Sequence, residues 1–131
     1  GPGPEGVDKF DFKRLKRLVE EHLRIAPYFL GDFYPLTPYT LAEDQWMAWQ
    51  FDRPDLGEGV VQVFRRQESP YESARFKLHE LEPAAQYTIT DLDDFTTYTI
   101  TGNELVSSGI LVSGSNPASC KVFLYKILVS E

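Results

Sequence analysis

The chain has 131 residues, 42% of them hydrophobic and 14% aromatic, which is enough for one folded domain and well above the level of a disordered chain. Thirteen Lys and Arg against 20 Asp and Glu give a formal net charge of -7, which disfavours nucleic acid and anionic membrane surfaces as partners. A single cysteine excludes an intramolecular disulfide framework, and no stretch approaches the ~20 apolar residues that span a bilayer.

The first elements in chain order are a linker and one helix. Residues 1–7 open with a Gly-Pro pair that resembles a protease-cleavage remnant, so they are interpreted as a tag remnant and linker. From Asp8 to Ala26 apolar residues recur at three- and four-residue steps, Asp8 can cap the start, and Pro27 ends the run. The pattern predicts a single amphipathic α-helix, which needs a partner surface for its apolar face.

An aromatic, proline-rich segment follows from Tyr28 to Thr40. It has neither helical nor strand periodicity, and it is more apolar than a free surface loop. We therefore expect it to pack onto a neighbouring surface, and residues 8–45 are interpreted as a helix followed by an aromatic junction segment.

From Trp46 onward the sequence is typical of a mainly-β domain. Short runs of alternating apolar and polar residues are separated by turn residues such as Gly102-Asn103 and by the loop at Gly114–Pro117. The predicted strands are Trp46–Phe51, Gly59–Arg65, Arg75–Leu81, Gln86–Thr90, Thr97–Thr101, Val106–Val112 and Lys121–Val129. This spacing predicts an antiparallel β-sandwich of about seven to eight strands over residues 46–131, preceded by the one amphipathic α-helix.

Motifs for catalysis or for metal binding are missing from the sequence. His22 and His79 lie far apart, and the acidic turn at 91–94 lacks the glycine and the terminal Glu of a helical-hand calcium loop. There is no nucleophile elbow and no phosphate-binding glycine loop, and Cys120 is expected to be a small buried residue of an apolar run. We therefore predict no catalytic residue, no metal site and no cofactor for this chain.

The aromatic residues around the junction are the remaining candidates for a functional site. Tyr34, Tyr39, Trp46 and Trp49 combine flat apolar faces with polar groups, so they can stack on sugar rings or anchor an apolar protein interface. The interface is the preferred interpretation. Trp46 and Trp49 are three residues apart, so in an extended strand they point to opposite faces and at most one of them faces a given partner.

Several sequence blocks also resemble a known family. The runs Gly31–Tyr39 (GDFYPLTPY), Trp46–Pro54 (WMAWQFDRP) and Gly57–Arg66 (GEGVVQVFRR) resemble the end of α-galactosidase-like glycoside hydrolases of family 36. The resemblance continues through Leu81–Tyr87 and from Thr101 to Gly109, and so covers most of the chain after Tyr28. In that family a catalytic (β/α)8 barrel is followed by a C-terminal antiparallel β-sandwich.

The resemblance implies that residues 46–131 are this sandwich, and that residues 8–45 are the end of a catalytic barrel that the sequence does not contain. The family's catalytic aspartates lie on barrel strands, and no aspartate here matches their motifs. The chain is then a non-catalytic accessory domain whose partner is the barrel of its parent chain. A carbohydrate-binding module is the alternative, and a standalone protein-interaction sandwich is a third interpretation. Without a signal peptide, the sequence favours the cytoplasm.

Overall fold

The structure is a computed structural model that describes residues 20, 24–37, 46–65, 73–113 and 120–129. In these ranges eight strands form two antiparallel sheets, which confirms the mainly-β, sandwich-like prediction. The strands are β1 (Asp32–Pro35), β2 (Trp46–Arg53), β3 (Glu58–Arg65), β4 (Ser73–Phe76), β5 (Gln86–Asp91), β6 (Thr97–Thr101), β7 (Ile110–Ser113) and β8 (Cys120–Ile127). A 3₁₀ helix covers Ala26–Leu30 and a short α-helix, α1, covers Gly102–Ser107. None of the helical segments in the described part of the chain is long and apolar enough to cross a membrane.

The main sheet has six strands in the order β1-β2-β3-β8-β5-β6, and β4 pairs with β7 in a separate two-stranded ribbon. Side chains alternate along β2, where Trp46, Ala48, Gln50 and Asp52 are buried on one face. We call this the ribbon face, because the ribbon packs on it. The opposite face, which carries Trp49 and its neighbours, is called the lead-in face, because the N-terminal segment packs on it.

The larger hydrophobic core lies between the ribbon face and the ribbon. Val61, Ile89 and Tyr125 of the sheet pack there with Ile110 of the ribbon and Leu105 of α1, and none of these side chains is measurably exposed. Burial of an aliphatic or aromatic side chain of this size contributes about 1.5–3 kcal/mol. The fold is therefore stabilised chiefly on this side of the sheet.

A second, smaller core lies on the lead-in face. Ile25 and Tyr28 of the N-terminal segment are buried there against Val60 of β3 and Leu124 of β8. The predicted helix from Asp8 to Ala26 falls mainly outside the described residues. Its described members are helical, namely Glu20, Arg24 and Ile25. The expected packing of the junction segment onto a neighbour is observed for Tyr28.

Two elements differ from the sequence-based assignment. β1 lies in the junction segment, where no strand is predicted, and pairs with β2 as an edge strand of the main sheet. The predicted turn at Gly102-Asn103 is instead the start of α1, because the Thr101 side chain accepts a hydrogen bond from the Glu104 N–H and caps the helix. As a result β7 begins only at Ile110, later than predicted.

The strand predicted at Arg75–Leu81 is also shorter than expected. It ends at Phe76, since the Leu78 N–H donates to the Leu105 carbonyl and Glu80 adopts a positive φ of 59°. The expectation that Cys120 is buried is wrong, because this first residue of β8 is exposed on the lead-in face opposite Phe64. The predicted loop at Gly114–Pro117 lies outside the described residues.

Candidate functional site

The 3₁₀ helix is anchored to the main sheet through a buried tyrosine. The Tyr28 hydroxyl donates to Glu58 Oε2 at 2.8 Å, and Glu58 also forms an ion pair of 3.3 Å with Lys126 of β8. Burial, together with the hydrogen bond to Glu58, raises the pKa of Tyr28 to about 12. The N-terminal segment is thus bonded to β3 and, through Glu58, coupled to β8.

A second anchor is the guanidinium of Arg53. It donates to the Pro27 carbonyl at 3.0 Å and to both carboxylate oxygens of Asp55 in the β2–β3 turn. The hydrogen bond with Arg53 lowers the pKa of Asp55. Gly31 sits against the backbone of Asp52, where a Cβ would overlap the Asp52 carbonyl. Only a glycine lets the segment approach β2 this closely.

Two aromatic residues of the junction pack on Phe51. The Phe29 ring meets Phe51 edge-on at a centroid distance of 4.8 Å, and the Phe33 ring lies 5.3 Å from Phe51 at 49°. Such tilted and edge-on pairs contribute about 0.5–1.5 kcal/mol beyond the area they bury. Phe33 is nevertheless 55% exposed, so its ring is accessible to solvent at the β1 edge of the lead-in face.

Exposed apolar side chains gather at one end of the main sheet, which we call the apolar end. Leu30 precedes β1, Leu56 lies in the β2–β3 turn, and Leu128 and Val129 follow β8. Their exposed fractions are 84%, 50%, 46% and 82%. The strand register places them at the same end, because Asp32 pairs with Asp52, Glu58 pairs with Lys126, and the Ile127 N–H donates to the Gly57 carbonyl.

The tryptophans predicted as contact residues lie on opposite faces of β2, as their spacing predicts. Trp46 is only 8% exposed in the main core, with its ring 6.1 Å from Phe76 and the Arg65 guanidinium 5.9 Å from its centroid. Its ring therefore offers no accessible face to a partner or a sugar. Trp49 is half-buried on the lead-in face, where its indole N–H donates to Gln62 Oε1. Tyr39 lies outside the described residues.

Tyr34, the remaining predicted contact residue, is half-buried on β1 and forms a stacked pair with His79. The two ring centroids are 5.0 Å apart and the planes differ by 7°. His79 is exposed, and its backbone is held by the buried side chain of Gln50. Gln50 Nε2 donates to the His79 carbonyl at 3.0 Å, and Gln50 Oε1 accepts from the His79 N–H at 2.8 Å. Sequence analysis did not identify His79 or Gln50 as neighbours of Tyr34, because only the fold brings these distant residues beside it.

Gln50 belongs to a buried polar network in the main core. Its Nε2 also donates to the Tyr125 hydroxyl at 2.9 Å, and that hydroxyl donates to Asp52 Oδ1 at 2.6 Å. Burial raises the pKa of Asp52, although the hydrogen bond from Tyr125 works in the opposite direction. Burial and the Asp52 contact also raise the pKa of Tyr125. The network links β2 and β8 to the segment that carries His79.

The acidic turn that follows β5 is stabilised from within the chain. Asp91 accepts a hydrogen bond from the Asp93 N–H at 2.8 Å and forms an ion pair of 3.1 Å with Lys121. Asp94 accepts from both the N–H and the hydroxyl of Thr96, and these bonds lower its pKa. Among the described residues, no group of His, Cys, Asp and Glu side chains has an arrangement that could hold a metal ion.

Comparison with known proteins places the chain among glycoside hydrolase domains. A family described as "Glycosyl hydrolase family 36 C-terminal domain" matches residues 46–124. Among solved structures, the galactosidase domain of an α-galactosidase-sucrose kinase, AgaSK, has a similar fold with a TM-score of 0.67 at 18% sequence identity. No curated protein matches the sequence.

The structural similarity extends beyond the sandwich. It covers 88% of this chain and 16% of the AgaSK chain, so this chain spans a small part of that structure's length. Residues 46–131 alone are too few to account for 88% of the chain. The matched part of the chain therefore includes residues before Trp46.

Proposed function

Since the chain belongs to the family of glycosyl hydrolase family 36 C-terminal domains, we propose that it is the accessory domain of an α-galactosidase-like glycoside hydrolase. In this role it packs against the catalytic (β/α)8 barrel of its parent chain, stabilises that barrel and performs no catalysis itself. One observation carries the proposal, namely the apolar end of the sheet, where Leu30 and Val129 are more than four-fifths exposed.

The composition of the apolar end is that of an interface between domains. Removing apolar surface from water contributes about 25 cal/mol per Å², so four large aliphatic side chains gain free energy when a partner covers them. Charged pairs lie beside them, Arg53 with Asp55 and Glu58 with Lys126. An apolar centre with a polar rim is the usual anatomy of protein interfaces.

The anchored junction supports the same role. Tyr28 and Arg53 tie the N-terminal segment to the sheet, so a domain that precedes this segment in the chain is held in a defined orientation. Leu30 is the last residue of the 3₁₀ helix that contains Tyr28, and it is part of the apolar end. The chain therefore enters the sheet beside the surface that we assign to the barrel.

Three carboxylates of the described residues are held by contacts within the fold, which supports a non-catalytic role for them. Retaining glycoside hydrolysis needs two carboxyl groups about 5 Å apart around a bound sugar. Asp52 is buried and bonded to Tyr125, Asp91 is paired with Lys121, and Asp55 is held by Arg53. These side chains serve the fold, and catalysis is left to the barrel.

The proposal is tested by the coding sequence upstream of this chain. We expect it to encode a (β/α)8 barrel with two catalytic aspartates, in the same reading frame. A gene that begins at this chain, or an unrelated upstream fold, contradicts the proposal and favours a standalone interaction domain. A carbohydrate-binding module is the second candidate. The observation that favours it is the stacked pair of Tyr34, which is half-buried, and His79, which is exposed.

A further inference from the structure

We propose that the free edge of β6 pairs with the same edge of a second copy of this chain, across a two-fold axis at Thr99. β6 is the last strand of the six-stranded sheet, and in the described part of the chain it pairs only with β5. The two copies then share one continuous antiparallel sheet. The contact uses none of the residues of the apolar end, so it can be tested separately from the packing of the barrel.

The backbone of β6 directs hydrogen-bonding groups away from its neighbour β5. The Gly102 N–H donates to the Ala85 carbonyl at 2.8 Å, immediately after the last pair of the β5–β6 ladder. Hydrogen-bonded pairs alternate along an antiparallel ladder, so only every second residue of β6 bonds to β5. The residues between them direct backbone groups to the free edge: Thr97 and Thr99 with both N–H and carbonyl, and Thr101 with its N–H.

The side chains of β6 complement themselves in an antiparallel pair. The strand reads Thr-Tyr-Thr-Ile-Thr, and a two-fold axis at Thr99 pairs all five residues. Tyr98 of each copy then lies opposite Ile100 of the other, on the face of the main core, because these two residues pair with Ile89 and Tyr87 of that core. This is a non-hydrogen-bonded position, where side chains approach closest, and pairs of aromatic and β-branched residues stabilise sheets there.

The same register joins the outward backbone groups. Thr99 exchanges two hydrogen bonds with Thr99 of the second copy, and each Thr101 N–H donates to the Thr97 carbonyl of the other copy. Both copies use the same surface, so the contact closes as a dimer and does not propagate.

The β6 edge lacks the features that protect the other edge of the sheet. On β1, Asp32 carries a charge. The Leu36 N–H donates to the Ala48 carbonyl of β2, so Pro35 faces the free edge and offers no N–H there. β6 contains neither a charged residue nor a proline, and Tyr98 on it is 44% exposed. Charges and prolines keep sheet edges from pairing, so an edge without them favours pairing with another strand.

The dimer is expected to be weak. Only five residues of each copy form the ladder, whereas stable complexes bury about 1,200–2,000 Å². Each copy also carries a net charge of -7, and the two repel each other. We therefore expect a Kd of about 0.1 mM, which falls as added salt screens the repulsion.

A basic peptide strand is the competing occupant of this edge. Asp94 and Glu104 lie before and after β6, and they attract positive charge. A second copy is favoured because the order of side chains in β6 matches itself across the axis, as described for Tyr98 and Ile100. The two occupants differ in their salt dependence, since binding of a basic peptide weakens as salt is added.

The test is sedimentation velocity of the whole 131-residue chain, at concentrations from about tenfold below to about tenfold above the expected Kd. We expect a shift from monomer to dimer. Thr99→Pro removes the central N–H, which β5 does not use, and is expected to weaken the dimer by at least about tenfold. Thr99→Val is the matched control, because it keeps this N–H and the branched side chain, and it is expected to dimerise like the unmodified chain.

A chain that stays monomeric throughout, or a dimer that Thr99→Pro leaves unchanged, overturns the proposal. Leu56→Ser combined with Val129→Ser tests self-association through the apolar end, and loss of the dimer in this variant alone assigns the contact to that surface. Saturable binding of a lysine-flanked strand peptide by a monomeric chain assigns the edge to a basic partner instead. Far-UV circular dichroism monitors folding. If Thr99→Pro does not fold, Thr99→Lys decides, because it places two like charges at the axis: a weaker dimer supports the pairing, and an unchanged dimer contradicts it.

Discussion

The hydroxyl of Tyr125 on β8 donates to Asp52 on β2 across the whole width of the intervening strand β3. The crossing is open because Gly59 of β3 pairs with both Asp52 and Tyr125 and has no side chain. A Cβ at Gly59 would overlap the Tyr125 hydroxyl and ring. Space, and not backbone conformation, is therefore the reason for glycine at this position.

Gly59→Ala is expected to lower the free energy of unfolding by about 1–3 kcal/mol, since overpacking of a buried site forces neighbouring groups to shift. Urea denaturation monitored by far-UV circular dichroism measures the change. Thr99→Ala on the exposed side of β6 is the control and is expected to stay within about 0.5 kcal/mol of the unmodified chain. Equal stabilities of the Gly59 and Thr99 variants would show that the Tyr125 ring is not confined at β3.

The buried carboxyl of Asp52 predicts a pH dependence. Its pKa in the folded chain is raised by burial, so its contribution to stability is full below the pKa of the unfolded chain and is lost as the pH rises through the folded pKa. Asp52→Asn keeps an oxygen that accepts from Tyr125 but does not ionise. The free energy of unfolding of the variant, minus that of the unmodified chain, is therefore expected to be larger at pH 7 than at pH 4. The same difference at both pH values would contradict the raised pKa.

The hydrogen bond that anchors the N-terminal segment predicts that Tyr28→Phe lowers the free energy of unfolding. The variant loses the hydrogen bond to Glu58 and is expected to lose about 1 kcal/mol of unfolding free energy at pH 7. The raised pKa of about 12 means that the Tyr28 contribution persists below pH 10 and disappears as the pH rises through 12. Ultraviolet absorbance of the phenolate follows this titration. Tyr98→Phe, at an exposed tyrosine, is the control, and an equal effect of the two changes would exclude the anchor.

The apolar end predicts a variant that affects the parent protein but not the isolated chain. Leu56→Ser combined with Val129→Ser is expected to leave the unfolding free energy of the isolated chain within about 0.5 kcal/mol, because both side chains are exposed. In the full-length parent the same pair of changes is expected to lower the melting temperature, since the buried interface loses apolar area. Leu111→Ser, at an exposed position of β7, is the matched control in both proteins. A parent that tolerates the double change would place the barrel on another surface.

Strand periodicity made most of the sheet predictable. β2, β3 and β5 were within reach of the sequence because their side chains largely alternate between a buried and a more exposed face. β6 and β8 do not alternate in this way, but they are rich in the β-branched and aromatic residues that favour strands. β1 was not within reach, because four residues at a sheet edge, ending in Pro35, show no clear period. The sequence also contains a pattern that indicates α1, because Thr101 followed by Glu104 three residues later is typical of a helix N-cap. It was overlooked because Gly102 between them is typical of a turn.

The candidate sites were less predictable than the fold. Residue type alone pointed to Tyr34, but its stacking partner His79 and the supporting Gln50 are distant in sequence and meet only through the fold. Trp46 is a case in which residue type leaves the location of a side chain open. An aromatic residue at the start of a strand can serve a core or a surface, and only the packing of β4 beneath the sheet places Trp46 against Phe76 in the core. The apolar end combines side chains from three segments that are distant in sequence, namely the 3₁₀ helix, the β2–β3 turn and the residues after β8. No local sequence pattern reveals that these segments lie at the same end of the sheet.

The most direct test of the accessory role is hydroxyl-radical footprinting of this chain, alone and within its full-length parent, because the method reports the solvent access of individual side chains. If the apolar end packs against the barrel, Leu30, Leu56 and Leu128 are protected in the parent and reactive in the isolated chain, while Leu111 reacts equally in both. Equal reactivity of the three leucines in the two proteins would contradict the account, because the surface assigned to the barrel would then remain open to water.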